Sequence, residues 1–459
     1  MPVTAARVFH ALREAIVTML AALATMFCAL AVDPEPGPAI LAIVLCVSLS
    51  RSQLDRDRRG RWEAALTLPA VSLAALGVGM LLLHAPWLGA VLFVIAISMS
   101  IWLRRFGPLV RRAGSLIALP FVVILTTPYV PTTRVGPTTA LLLPIIVALL
   151  ALFWVSLFHL GAQRLRWLPA PRVMKDVPAS PPRASSLRPM ASTRMALQMA
   201  VALTIAFVMG YAFFADRWAW IVLTAFIVCS GNQGRLDVAY KSVLRVVGAG
   251  AGTLVALIFA NHTASGTTTV ALILSAVFMG IWLRPLGYGW WALFVTLALA
   301  LLQGFEEPSA GRILSLRMEE IVLGAIIGVA AAWLVLPVRS TAVLRLRIAE
   351  ALAALADALD PANAARRPDD FVMALHRVES VAPAFRASRF FTRRLLTVQP
   401  ADWVDLLMEC RHPAVALIDS GDTPGSVRRA LGAARKAMRE PQDIPQALQH
   451  LRRSMMADT

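Results

Sequence analysis

Apolar residues fall along this chain in repeated blocks of roughly 17 to 25, the length needed to cross about 30 Å of hydrocarbon at about 1.5 Å per residue. The short alternating segments of a β-barrel are absent from the sequence. The pattern places helices near 14–32, 38–50, 64–84, 86–103, 113–130 and 137–160, and a second set near 195–214, 218–230, 242–260, 267–283, 288–304 and 313–336. Between the sets, Gln163 to Arg194 carries Pro169, Pro171, Pro178, Pro181, Pro182 and Pro189 among arginines, which forbids a spanning helix and makes a linker. Beyond Pro337 the spacing becomes that of a soluble helical bundle, as in Leu344 to Leu359, Phe371 to Val381 and Trp403 to Leu417, and about five helices are expected there. Pro361, Pro383, Pro400, Pro424 and Pro441 are expected to punctuate them.

The fold class is therefore all-α: a polytopic membrane protein with two bundles of about six helices and a cytoplasmic helical bundle. Its domains are 1–162, the linker 163–194, 195–337 and 338–459. Composition agrees, since 58% hydrophobic and 15% charged residues leave too little polar surface to wrap a soluble chain of 459 residues. Lipid has to be part of the solvent.

A net charge of +17 invites a nucleic-acid partner, but the basic residues lie in short loops and in the tail. Counted on alternate loops, 20 Lys and Arg fall on one side and four on the other, Arg134, Arg217, Arg312 and Arg317. The richer side is cytoplasmic by the positive-inside rule, which puts both termini inside, in a bacterial inner membrane, and excludes nucleic acid. The N-terminal apolar run has no small-residue cleavage site and is expected to be a retained helix. Cys28, Cys46, Cys229 and Cys410 have no metal-ligand spacing and are expected to be small buried hydrophobes. With no phosphate loop, zinc motif or catalytic triad signature, neither a cofactor, a metal nor an enzymatic activity is expected.

The halves also resemble one another. Met99, Ile101, Trp102, Leu103, Arg104 and Gly107 recur as Met279, Ile281, Trp282, Leu283, Arg284 and Gly287, six identities in nine positions at an offset of 180. Leu54-Asp55 recurs as Leu236-Asp237 and Arg13 as Arg194, at 182 and 181. Duplication of an even number of helices sets the copies the same way up, as parallel repeats.

Candidate chemistry follows from helical stripes. The second helix of each bundle is short and flanked by Gly or Pro, a pointer to a transport site or simply to two short helices in a thinned patch. Asp216 precedes Trp218 and Trp220, which serve either as headgroup anchors or as a stacking surface for an aromatic ligand. Lys241, Arg245, Gly248 and Gly252 share one stripe, whose small residues let another helix approach, so Arg245 faces protein; it meets an anion there or pairs with Asp237. Arg317, Glu320, Gly324 and Gly328 form a second stripe with Glu319 beside it. Carboxylates kept inside a span are costly and tend to be functional, which makes Glu320 the candidate proton carrier with Arg317 as its counter-charge. The alternative is a helix that starts only at Ile321, with both glutamates in a loop.

The Trp pair, Arg245-x-x-Gly248-x-x-x-Gly252 and Gly324-x-x-x-Gly328 ending at Pro337 make the stretch from Met195 to Val338 resemble the fusaric acid resistance and aromatic acid exporter family. Ala249 stands where that family often has Thr, and the first half lacks the Arg-x-x-Gly-x-x-x-Gly pattern. The resemblance implies export of small aromatic or hydrophobic carboxylic acids, driven by protons. A plant relative that conducts organic anions makes a passive channel the alternative, and a membrane scaffold with a working cytoplasmic bundle is a third reading. The partners expected are the bilayer and a small organic anion, with room for a second copy or an accessory periplasmic subunit.

The charge count predicts that the linker from Lys175 to Arg188 is cytoplasmic. A cysteine placed at Ser180 is expected to resist an impermeant thiol reagent in intact cells and to react after the cells are opened; labelling from outside would reverse the topology.

Overall fold

The computed structural model describes residues 5–52, 58–106, 114, 117, 120, 121, 124, 125, 137–168, 191–214, 217–260, 266–304, 310–360, 367–394, 399–421 and 424–457. All regular structure among them is helical. The first set comprises α1 (Ala5–Val32), α2 (Pro36–Ser52), α3 (Arg58–His84), α4 (Pro86–Trp102) and α5 (Pro137–Arg164), and the second α6 (Ala191–Phe213), α7 (Trp218–Cys229), α8 (Arg235–Ala260), α9 (Gly266–Leu283), α10 (Tyr288–Gly304) and α11 (Ala310–Leu334). Most of the helix expected over 113–130, most of the linker, and Asp216 lie outside the described residues. Six of these helices are long and apolar enough to cross a membrane and four more are shorter and apolar, so the chain is a multi-pass membrane protein. Helix α11 is also long, at 25 residues, and carries Arg317, Glu319 and Glu320 in its first half.

The ends of these helices follow from local chemistry. Pro86 opens α4, where its missing N–H has no intrahelical partner to lose, and Gly89 lets that helix turn back on α3, since a Cβ there would lie 2.5 Å from the Leu82 amide nitrogen. Pro69 and Pro144 sit inside α3 and α5, as prolines in spanning helices do where neighbours satisfy the freed carbonyls.

Residues Met1–Ser230 and Lys241–Leu336 form one compact unit, so the two bundles are not separate bodies. Helix α5 packs on α1, α2 and α3, while α11 packs on α6 and α7. Across the bundles α4 packs on α6, and α1 on α9. The α4–α6 seam is aromatic: the Phe93 ring meets Phe207 at 5.5 Å and the Trp87 ring meets Tyr211 at 5.1 Å.

The second unit holds Pro337–Thr459 together with Gly231–Tyr240. Its helices among the described residues are α12 (Ser340–Ala358), α13 (Asp369–Thr392), α14 (Pro400–Glu409), α15 (Arg411–Ser420), α16 (Gly425–Ala437) and α17 (Ile444–Ala457), one more than expected. The stretch through Trp403 and Leu417 breaks at Cys410 because Pro413 has no N–H to give the Glu409 carbonyl, and a new helix opens with that proline in its first turn. Pro383, expected as a break, lies inside α13 instead. Cys410 is buried, which pushes its thiol up to about 12 and leaves it an inert core group.

Gly231–Tyr240 is the turn before α8 and its first turns, and it is held in this unit by backbone bonds. Ser340 Oγ accepts from the Leu236 amide at 2.9 Å and the Val338 carbonyl from Arg235 at 3.1 Å, while inside the turn Asp237 Oδ2 accepts from the Gln233 amide at 3.0 Å. These partners satisfy amides that a helix start leaves open. Gly234 has φ +119° and a Cβ there would stand 2.6 Å from Ser340 Oγ, so only glycine serves.

The membrane unit depends on glycine contacts of the same kind. A Cβ at Gly252 would collide with the Leu293 carbonyl of α10, whereas Gly161 has nothing within 4 Å. Gly252→Val is therefore expected to lower stability by about 1–3 kcal/mol, and Gly161→Ala by less than about 0.5 kcal/mol, in thermal unfolding of the detergent-solubilised protein. Equal melting of the two variants would contradict the packing.

Candidate functional site

Helix α7 has only 12 residues, about 18 Å of length, and is buried on nearly every side among α6 and α11. The contact with α11 is backbone-close: a Cβ at Gly324 would lie 2.6 Å from the Ile221 carbonyl oxygen, and one at Gly328 would lie 2.8 Å from Val228 Cγ1. Residues spaced three and four before Gly324 share its face, so this approach carries Glu320 and Arg317 against the first turn of α7. Arg317 is 2% exposed, and its guanidinium carbon lies 4.1 Å from the centre of the Trp220 ring. Glu320 is 1% exposed, and Arg217 Nε stands 3.4 Å from its Oε1.

The third member comes from α8. Gly248 and Gly252 press that helix onto α10, where a Cβ at Gly248 would lie 2.7 Å from the Gly289 carbonyl. One turn earlier Arg245 is 2% exposed and donates from Nη1 to Thr296 Oγ1 at 3.4 Å. Arg245 and Arg317 are close enough for their charges to repel.

Satisfaction of these groups is poor. Among the described residues, Arg317 Nε, Nη1 and Nη2, Arg245 Nε, both Glu320 carboxylate oxygens and Thr224 Oγ1 are buried without a hydrogen-bond partner. Buried polar groups are nearly always paired, and a buried charge left unpaired costs several kcal/mol, so a cluster of this kind calls for a ligand or a function. Among the buried members of the cluster, the guanidiniums of Arg245 and Arg317 stand against the one buried carboxylate of Glu320, whose ion-pair partner Arg217 is partly exposed. The surplus is positive and its donors are planar forks, the geometry that takes a carboxylate through two parallel hydrogen bonds.

Sequence expectation and position agree for much of this. Arg245, Gly248 and Gly252 face protein, and Glu320 is buried on the Gly324 and Gly328 stripe while Glu319 is exposed. The helix begins at Ala310, so Glu319 and Glu320 belong to it and the loop alternative falls. Trp220 is buried at 8% and is no headgroup anchor. Trp218 separates from it, packing with Phe207 and Tyr211 at ring distances of 5.3 and 5.4 Å.

Other expectations are corrected. Glu320 gains a cation that was not expected, Arg217, while Arg317, whose charge also acts on Glu320, lies over Trp220 and hydrogen-bonds to nothing described. Asp237 accepts from Gln233, and Arg245 donates to Thr296 instead; eight residues of helix, about 12 Å, separate the two. Arg245 and Arg317 were both counted as loop cations and are buried in helices, one from each side, so the charge asymmetry survives. Arg217, Thr224 and Thr296 were not expected to matter. Two of them had a visible signal, a lone hydroxyl inside an otherwise apolar helix.

The described fold and site define a polytopic helical membrane protein with a buried, cation-rich polar cluster in its second bundle. Residues 201–331, which hold every member of that cluster, match the fusaric acid resistance protein-like family and form a domain of it. No curated protein and no solved structure matches the chain.

If Arg317 serves a ligand and not the fold, an apolar side chain of similar length is expected to be tolerated. Arg317→Met removes a desolvated charge and should melt at or above the wild-type temperature, by up to about 1–4 kcal/mol in stability. A loss of more than about 2 kcal/mol would show that the guanidinium holds the bundle together.

Proposed function

We propose that the chain is a secondary transporter of the bacterial inner membrane, with both termini and the C-terminal unit cytoplasmic, that serves as an efflux route for small aromatic or hydrophobic carboxylic acids. One observation carries this reading: the Arg317 guanidinium, buried with all three nitrogens unpartnered, lies against the face of Trp220. A carboxylate bridging Arg317 and Arg245 would neutralise their mutual repulsion, and an aromatic body would find Trp220 beside it. The likeness of residues 201–331 to the fusaric acid resistance proteins supports the substrate class. The reciprocal contacts of α4 with α6 and of α9 with α1 support two parallel copies.

Glu320 is the proton-linked group in this scheme. Its carboxylate competes with the substrate for the same guanidinium surplus, so neutralising it raises the affinity for an anion, and by reciprocity a bound anion favours the protonated form. Proton and substrate therefore bind together and cross in the same direction, so an accumulated acid leaves the cell when its own outward gradient exceeds the inward gradient of protons. Asp237, Gly248, Gly252, Gly324 and Gly328 position the helices, and Trp218 fixes the first turn of α7 on α6 through Phe207 and Tyr211.

Proteoliposomes loaded with labelled benzoate test the scheme. Saturable efflux that an outward-directed proton gradient drives uphill and an inward-directed one opposes is the expected result. Flux that ignores the proton gradient and follows only membrane potential would make the protein an organic-anion channel, and no flux would remove the transport reading. Glu320→Gln is expected to bind benzoate roughly tenfold more tightly at neutral pH, about 1.4 kcal/mol, and to lose the pH dependence of binding, whereas Glu319→Gln should do neither. Unchanged affinity in Glu320→Gln would sink the proposed linkage.

A further inference from the structure

The C-terminal unit packs its apolar residues into one core that runs from Leu344 to Met455, with a conspicuous exception at the end of α13. Phe390 and Phe391 are 84% and 77% exposed, and their rings touch edge to face at 5.4 Å. Arg393 and Arg394 follow after Thr392, both exposed and without an ion pair among the described residues. The acids at this end of the helix are already engaged: Asp405 takes Arg386 at 2.8 Å and Arg389 at 3.1 Å, and Asp402 takes Arg389 at 3.0 Å. What remains outward is two aromatic rings and two unmatched positive charges.

That combination selects among occupants. An apolar face of a second copy would cover the rings but leave both guanidiniums without anions. A bilayer supplies both halves at once, an interfacial layer that accepts aromatic rings and anionic headgroups that accept arginine. The membrane is also always within reach. The chain passes between the membrane unit and this one at Ser230/Gly231, Tyr240/Lys241 and Leu336/Pro337, and only five residues, at most about 18 Å of extended chain, separate the end of α11 from the start of α12.

We propose that Phe390 and Phe391 insert into the interfacial layer of the bilayer, with Arg393 and Arg394 on anionic lipid headgroups. The surface is then a lipid-sensing foot of the C-terminal unit. Because that unit also holds Gly231–Tyr240, the start of the helix that carries Arg245, its seating on lipid reaches the anion site through α8.

The test uses the full-length protein in nanodiscs of phosphatidylcholine alone or mixed with phosphatidylglycerol. A nitroxide is attached at Phe391→Cys in a Cys28→Ser background, the other three cysteines being buried, and a second label at the exposed Glu440 serves as the aqueous control. In phosphatidylglycerol discs the label at 391 is expected to be at least threefold more accessible to oxygen, relative to a water-soluble nickel chelate, than the label at 440. Arg393→Gln with Arg394→Gln should return it to the value seen in phosphatidylcholine. A label at 391 as accessible to the chelate as the one at 440 in both lipids would overturn the proposal. So would protection that appears only in discs holding two copies of the chain, which would make the surface a contact between copies.

Discussion

Helices that carry guanidiniums through an apolar bundle need neighbours close enough to exclude water yet not so bulky that the charged side chains are pushed aside. In the second bundle that condition is met by glycine: Gly324 and Gly328 bring α11 onto the backbone of α7, and Gly248 and Gly252 bring α8 onto α10. These contacts lie one to three turns along the same stripe from Arg245 and Arg317. The depth of Arg245 and Arg317, the place of Trp220 and the burial of Glu320 all descend from these approaches. A methyl group at Gly324 would open the α7–α11 seam and let solvent reach Arg317, which would weaken its attraction for any anion by raising the local dielectric.

Several polar groups of the first bundle are satisfied by one another. Thr18 Oγ1 meets Ser50 Oγ at 2.7 Å, Ser50 Oγ meets His159 Nε2 at 3.3 Å, and His159 Nδ1 reaches the Val155 carbonyl at 2.9 Å. Thr25 Oγ1 likewise reaches the Ala21 carbonyl at 2.8 Å. These groups are polar side chains and backbone carbonyls joined to one another, which lets them be buried at low cost. The second bundle instead buries like charges near each other with donors left over, an arrangement that spends stability and is sensible only where a ligand recovers it.

Much of this was legible in the sequence because the controlling signals are local. Spanning length, the glycine spacing on α8 and α11, and the separation of Glu320 from Glu319 all follow from helical period alone, and most helix ends agree with expectation to within a few residues. What could not be read was which stripe meets which. Arg217 follows Asp216 in the α6–α7 turn and looks like an ordinary loop cation; only the packing of α11 on α7 turns it toward Glu320. Periodicity likewise could not say that Trp218 and Trp220, two residues apart on a helix, would enter different environments, one aromatic and one beneath a guanidinium. The annexation of Gly231–Tyr240 by the C-terminal unit depends on contacts more than a hundred residues distant, with Ser340 and Ser380, that no window along the chain contains.

The account turns on one claim, that Arg317 over Trp220 receives the carboxylate of an aromatic acid. Soaking or co-purifying the protein with 4-bromobenzoate and locating the bromine by its anomalous scattering tests it without any assay of flux. The account predicts one ordered bromine per chain within the second bundle, the carboxylate within hydrogen-bond distance of Arg317 and the ring beside Trp220. Bromine ordered elsewhere in the bundle, with Arg317 still unpartnered, would contradict it.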